Sequence, residues 1–277
     1  MTVPTVTLNN GVHIPQLGFG VFQIDPADTR KATEAALEVG YRHVDTAEMY
    51  GNEAEVGQAV RASGIDRSEV FITSKLSNSR HRPADVATAF EGTLRALDLD
   101  YVDLFLVHWP LPTIEIDYVD TWKAMEGLLG TGRLRAVGVS NFQPAHLDRV
   151  LAAGTVVPAV NQVEAHPYLT QDALRAYDRS HGIATEAWSP IAQGRVLDDP
   201  AVVAVADAVG RTPAQVVLRW HIQRGDIVFP KSVTRSRVEE NFAIFDFDLA
   251  DDQMAAIGAL NRDQRTGPDP DTFDRRP

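Results

Sequence analysis

Short apolar runs alternate along this chain with longer amphipathic stretches. The opening "TVTLNNGVHIP" holds two short β-type runs around Asn10-Gly11, which signals a hairpin. Eight further runs follow: "LGFGVF" (17–22), "YRHVD" (41–45), "VFITSK" (70–75), "VDLFLVH" (102–108), "LRAVGVS" (134–140), "PAVNQVE" (158–164), "ATEAWS" (184–189) and "DIVFP" (226–230). Helix-like segments lie between and after them, at 27–40, 53–63, 83–97, 118–129, 144–153, 172–180, 201–209 with 213–223, and 235–242. Asp28, Asp172 and Thr212-Pro213 supply helix-start signals.

A strand and a helix recurring at roughly 30-residue spacing imply parallel pairing. Eight such units close a (β/α)8 TIM barrel. A doubly wound open sheet is the alternative, and it usually carries a dinucleotide fingerprint after its first strand. Here Gly18-x-Gly20 lacks a third glycine and a clear helix start. The barrel is therefore the expected fold, with the N-terminal hairpin and short loops at its C-terminal face. No Pro/Gly/Ser-rich linker divides the chain, which predicts one domain over 1–277. The polar, Pro-rich tail from Asn261, "NRDQRTGPDPDTFDRRP", is expected to lie over the surface.

Composition narrows the function more than the fold. A net charge of −12 argues against nucleic acid as the main partner. The absence of cysteine removes disulfides, thiolate metal sites and cysteine nucleophiles, and no metal is expected. The N-terminus shows no secretory pattern, and stretches such as "LFLVHWPLP" are too short to span a membrane. These readings predict a cytoplasmic protein with no membrane partner.

The functional face of such a barrel is formed by the C-terminal strand ends. Three successive strands close on Asp45, Lys75 and His108, and Tyr50 sits in the loop after Asp45. Each alone has an ordinary reading, as a turn cap, a snorkelling lysine or a satisfied core imidazole. Together they compose a proton-transfer device. A lysine ammonium beside the Tyr50 phenol favours phenolate and lowers its pKa, while Asp45 holds that lysine charged. His108 can donate a hydrogen bond to a substrate carbonyl. Lys75 as the Schiff-base nucleophile of a barrel aldolase is a second reading.

"KSVTRSR" (231–237) concentrates three basic residues in an acidic chain, at the end of the eighth strand where barrels commonly bind phosphate. A solvated helix start explains it equally well. Lys231 and Arg237 would suit a 2′-phosphate, which an arginine fork matches well.

The segments "GYRHVDTAEMYGNEAEVG" (40–57), "LVHWP" (106–110), "AVGVSNF" (136–142), "PAVNQVEAHP" (158–167) and "FPKSVTRSRVEEN" (229–241) resemble the signature segments of the aldo-keto reductases. They occur in order and at matching spacing from the hairpin to about Leu260. The opening "MTVP", "IPQLGFGVF", "TPAQVVLRWHIQ" and "FDFDL" look closest to bacterial members that resemble 2,5-diketo-D-gluconate reductase.

That resemblance implies an NADPH-dependent reductase of small aldehydes, ketones, dicarbonyls or keto-sugar acids. Its tetrad maps onto Tyr50 as proton donor, Lys75 as tuning cation, Asp45 as orienter of Lys75 and His108 as the group positioning the carbonyl. It places Ser140, Asn141 and Gln162 on the nicotinamide carboxamide and Trp188 against the ring. Ser189, Ile191, Gln193 and Gly194 fall in the segment covering the pyrophosphate. Lys231, Ser232, Val233, Thr234 and Arg237 surround the 2′-phosphate and ribose, with Glu240 and Asn241 at the adenine. Phe22, Met49 and Trp109, and in a further reading Trp122, stand as substrate-pocket candidates. Ser77 replaces a tryptophan that many members carry, which implies a wider, more polar wall. Short loops at 110–117 and 190–198, with the short tail, predict an open, shallow site of broad specificity, and relatives suggest a monomer. A non-catalytic NADP(H)-binding sensor on the same fold is the remaining alternative.

Overall fold

The computed structural model describes residues 3–276. The predicted hairpin forms from β1 (Thr5–Thr7) and β2 (His13–Pro15), antiparallel with Val6 opposite Ile14. Gly11 turns it with φ of 83°, a left-handed conformation that only glycine adopts without strain. Leu8 and Ile14 insert among Phe71, Leu104, Ala136, Val160 and Ile227, so the hairpin plugs the N-terminal end of the barrel.

The barrel strands are β3 (Phe19–Gly20), β4 (His43–Asp45), β5 (Phe71–Leu76), β6 (Val102–Val107), β7 (Leu134–Ser140), β8 (Val160–Glu164), β9 (Ala184–Trp188) and β10 (Ile227–Val228). Each pairs in parallel with the next. Leu17 bridges Val228, and Gly18 N–H donates to the Val228 carbonyl at 2.7 Å, which closes the ring. The chain is therefore a (β/α)8 barrel, as the eight apolar runs predict.

The outer layer comprises α1 (Pro26–Val39), α2 (Glu53–Ala62), α3 (Pro83–Leu97), α4 (Tyr118–Glu126), α5 (Pro144–Ala153), α6 (Asp172–Ser180), α7 (Pro200–Val209), α8 (Pro213–Arg224), α9 (Arg235–Phe242) and α10 (Asp251–Gly258). Proline opens α1, α3, α5, α7 and α8, where its missing N–H loses nothing. Thr212 and Gln215 cap α8 reciprocally. Two details depart from the pattern reading. The helix predicted to 129 ends at Glu126, and α10 was not anticipated. Trp122 is also removed from the pocket candidates, because it is fully buried within the α4 layer of the core.

Alternation along each strand creates two different interiors. Outward residues such as Val44, Ile72, Phe105, Val137 and Val139 join the core under the helices. The inward rows change character along the barrel axis. Phe71-Thr73-Lys75, Leu104-Leu106-His108, Val160-Gln162-Glu164 and Ala184-Glu186-Trp188 all run from apolar to polar or aromatic toward the C-terminal face. Packing fills the bottom of the barrel, and hydrogen-bonding chemistry fills the top.

Gly57 marks the tightest helix contact, since a Cβ there would fall 1.8 Å from the Leu97 carbonyl oxygen. Backbone cannot move aside as a side-chain tip can. Gly57→Ala should therefore destabilise the fold by more than about 3 kcal/mol, at the severe end for single substitutions. Urea unfolding of the variant beside the parent protein measures this.

Candidate active site

Asp45 ends β4, Lys75 is the penultimate residue of β5, and His108 directly follows β6. Neighbouring parallel strands, with Asp45 opposite Thr73 and Lys75 opposite Leu106, bring the three together at the C-terminal end of the barrel. Lys75 is fully buried, and its Nζ donates to Asp45 Oδ1 at 2.6 Å and to the Thr46 carbonyl at 2.8 Å. Tyr50 lies in a single helical turn at Glu48–Tyr50 just past β4. Its ring centroid is 4.8 Å from Lys75 Nζ and 5.7 Å from the His108 ring. The structure thus assembles all four tetrad candidates.

The electrostatics differ in one respect from the sequence expectation. Burial raises the Tyr50 phenol above its usual range, and the opposing pull of Lys75 does not overcome it. Tyr50 therefore keeps its proton at neutral pH, as the expected proton donor must, but its pKa moves up and not down. Burial pulls the Lys75 ammonium down, but Asp45 and Tyr50 outweigh it and leave Lys75 raised. Burial also raises Asp45, against the charge of Lys75 and its hydrogen bonds from Lys75 and Gln162. His108 is held well below its ordinary value by burial and then by Lys75 and His81, so its imidazole is neutral. Its Nδ1 is buried without a partner among the described residues.

Around this set the polar side chains form a connected scaffold. Ser140 Oγ donates to the Gln162 carbonyl at 2.8 Å. Asn141, in the left-handed region at φ 65°, donates to the His108 carbonyl at 2.9 Å and accepts from Trp188 Nε1 at 2.8 Å. Asn141 thereby ties His108 to Trp188. Gln162 Nε2 donates to Asp45 Oδ2 at 2.8 Å and to Glu186 Oε2 at 2.7 Å.

The loop after β9 is tightly wound, with Ser189, Ala192, Gln193 and Gly194 all at positive φ. His221 fastens it: one ring nitrogen lies 3.2 Å from the Pro190 carbonyl and the other 2.8 Å from Asp226. Ile191 packs beside it against the core. At the start of α9, Arg235 pairs with Glu38 and Glu239, whereas Lys231 and Arg237 are exposed and make no ion pair among the described residues. Ser232 Oγ accepts from Thr234 N–H at 3.0 Å, and Val233 is 57% exposed. Glu240 accepts from Thr212, and Asn241 is buried.

The mouth is less open than the short loops suggest. Phe22 is exposed with its ring 4.9 Å from Tyr50, Met49 is partly exposed, and Trp109 is covered. Trp109 owes its cover to the tail, whose Phe273 ring lies 4.4 Å away. Glu164 anchors the start of that crossing, accepting from Thr266 Oγ1 at 2.6 Å and from Gly267 N–H at 3.1 Å. Asn78 anchors the far end by donating to the Arg275 carbonyl at 2.9 Å, and Arg276 pairs with Glu115. The tail therefore spans the strand-end face as one wall of the site, which corrects the expectation of an open, shallow mouth. Glu48 also gains a role here, accepting from the Ser77 N–H at 3.3 Å and facing Arg80 at 3.6 Å.

Glu164, Glu186, Thr266, Gly267 and Phe273 did not stand out as site residues in the sequence. The two glutamates had a visible signal, being carboxylates on the inward parity of barrel strands. The tail residues had none, because nothing local encodes where a Pro-rich segment docks.

The fold gathers Asp45, Tyr50, Lys75 and His108 at the strand ends of a (β/α)8 barrel. The chain matches the model of the Aldo/keto reductase family over residues 16–262, and it belongs to that family. It is 50% identical over 273 residues to an aldo-keto reductase of Mycobacterium sp. (strain KMS), covering 99% of each chain. It is 46% identical over 277 residues to a methylglyoxal reductase of Salmonella typhimurium, again covering 99% of each. The crystal structure of a Bombyx mori aldo-keto reductase in complex with NADP superimposes with a TM-score of 0.92 at 35% identity, covering 98% of this chain and 97% of that one.

Burial and then the Asp45 charge push the Glu186 carboxyl up to about 8, against the hydrogen bond from Gln162 and the pull of Lys75. A carboxyl raised on folding keeps a proton that the unfolded chain has released. Its contribution to stability is present at low pH and lost as pH rises from about 4.5 to about 8. Glu186→Gln has no proton to lose. Its melting temperature should rise relative to the parent protein more at pH 8 than at pH 5, which differential scanning fluorimetry at the two values checks.

Proposed function

We propose that this protein reduces small aldehydes, ketones or dicarbonyls to alcohols with NADPH, using Tyr50 as proton donor. The observation that carries the reading is the buried Asp45–Lys75 pair beneath Tyr50, with a neutral His108 beside it. When bound, NADPH supplies the hydride to the carbonyl carbon. Tyr50 holds the proton that the developing alkoxide needs, and its raised pKa keeps that proton in place at neutral pH. Lys75 remains charged and stabilises the phenolate left behind. His108, neutral, donates to the carbonyl oxygen and aligns it.

The donor set fits a phosphorylated dinucleotide. Lys231 and Arg237 are the cations at the α9 start not engaged by a carboxylate among the described residues. Ser140, Asn141, Gln162 and Trp188 converge at the strand ends, where a nicotinamide would meet the acid. Ser189, Ile191, Gln193 and Gly194 supply a tightly wound segment for the pyrophosphate, and Ser232, Val233, Thr234, Glu240 and Asn241 flank the adenosine end. The Bombyx mori relative's NADP supports this choice. Phe22, Met49 and Trp109, joined by Phe273, supply apolar walls. The Salmonella relative, a methylglyoxal reductase, supports small dicarbonyls as substrates. The whole chain acts as one catalytic unit in this reading.

A Schiff-base role for Lys75 is not favoured. A nucleophilic amine must be neutral, and Lys75 is buried against Asp45 with its pKa raised. A purely sensory role gives no account of the assembled acid.

An NADPH-oxidation assay across aldehydes, α-dicarbonyls, keto-sugars and quinones, with NADH in parallel, tests the reading; no carbonyl-dependent oxidation across the panel would overturn it. Tyr50→Phe should lower kcat by about 10²- to 10⁴-fold, the usual worth of a general acid, with NADPH affinity nearly unchanged by fluorescence titration. Arg237→Ala should weaken NADPH by about tenfold or more, as loss of a charge-assisted phosphate contact does, and leave NADH affinity almost unaltered.

A further inference from the structure

Glu186 and Gln162 sit side by side in register on β9 and β8, and Gln162 reaches Asp45 on β4, at the opposite side of the ring. Glu186 is fully buried, and no cation forms an ion pair with it among the described residues. Gln162 is its hydrogen-bond partner through Oε2, while Oε1 is buried with no partner. A buried carboxyl with so little compensation is costly, and Lys75 and Asp45 already neutralise each other. Its placement therefore concerns Gln162.

We propose that Glu186 is a positioning residue of the hydride-transfer site: with Asp45 it fixes the Gln162 amide with its nitrogen inward, presenting the amide carbonyl to the carboxamide of the nicotinamide. The inference rests on the cofactor reading above and deepens it. A primary amide carries two donors at one end and an acceptor at the other. Both contacts of Gln162 Nε2, at 2.8 and 2.7 Å, go to carboxyl oxygens inside the barrel. A flipped amide would turn Oε1 against the Asp45 carboxylate, acceptor facing acceptor in a buried site, and would take from Glu186 Oε2 the N–H it now accepts. Asp45 alone holds one N–H. Glu186 holds the second, and so removes the freedom to swing. Gln162 Oε1 is then the end of the side chain with no hydrogen bond among the described residues, suited to accept from the NH₂ of a carboxamide. The same chain links the nicotinamide position to Lys75 through Asp45.

The test compares NADPH with adenosine 2′,5′-bisphosphate, which carries the phosphorylated adenosine end but no nicotinamide. Affinities are measured by intrinsic fluorescence and calorimetry on the full chain. Glu186→Met, similar in length and apolar, should bind NADPH about fivefold to tenfold more weakly, the worth of an ordinary hydrogen bond, and bind the bisphosphate as the parent does. Glu186→Gln, which keeps a carbonyl acceptor in place, should recover NADPH affinity. Glu186→Met combined with Gln162→Met should bind NADPH no more weakly than Gln162→Met alone, because the first residue acts through the second. Should Glu186→Met fail to fold, Glu186→Thr, short and suited to a strand, must show the same pattern. NADPH affinity equal to the parent's, or an equal loss for both ligands, would overturn the proposal. A parent protein that binds neither ligand would instead overturn the cofactor reading, so the two failures are distinguishable.

Discussion

The ion pair between Lys75 and Asp45 is the constraint around which the upper half of the barrel is organised. Two charges removed from water are tolerated only when their geometry is close and their remaining hydrogen-bonding capacity is used. Here Lys75 is met by Asp45 and the Thr46 carbonyl, and the second oxygen of Asp45 is met by Gln162. Those demands fix the height of β4, β5 and β8 relative to one another. Tyr50 and His108 then fall into place around a charge that neither of them supplies.

The polar top of the barrel follows from the same requirement. An apolar interior would leave the pair uncompensated, so the inward rows shift toward hydrogen-bonding side chains as they approach it. The apolar bottom, closed by Leu8 and Ile14 of the hairpin, supplies the packing that the top gives up. Stability and chemistry are thus separated along one axis, and the tail completes the chemical end from outside by crossing from Glu164 to Asn78.

Most of the fold was legible because its signals are local. Eight apolar runs with helical segments between them give the barrel, and Asn10-Gly11 gives the hairpin. The candidate tetrad was legible because strand ends are identifiable and Asp45, Lys75 and His108 each interrupt an apolar run. What was hidden depends on contacts distant in sequence. Glu186 reads as one charge in a strand until Gln162 and Asp45 are seen around it. Trp122 reads as a pocket aromatic until the α4 layer covers it. The direction of the Tyr50 pKa shift was misjudged for a related reason: a neighbouring cation is visible in sequence, whereas the depth of burial that opposes it is not. The tail's route was illegible because docking of an irregular segment depends on partners such as Glu164 and Trp109, not on its own pattern.

The bond from Asp45 to Gln162 joins residues separated by 117 positions and runs between opposite walls of the ring. Such a non-local contact must offset a loop-closure cost in chain entropy before it rewards the fold. Asp45, Tyr50, Lys75 and His108 all lie on or just beyond β4 to β6, so a partly closed barrel can hold them without Gln162. A half-barrel fragment would carry the aspartate and lysine motif intact and still have no Gln162 to complete it.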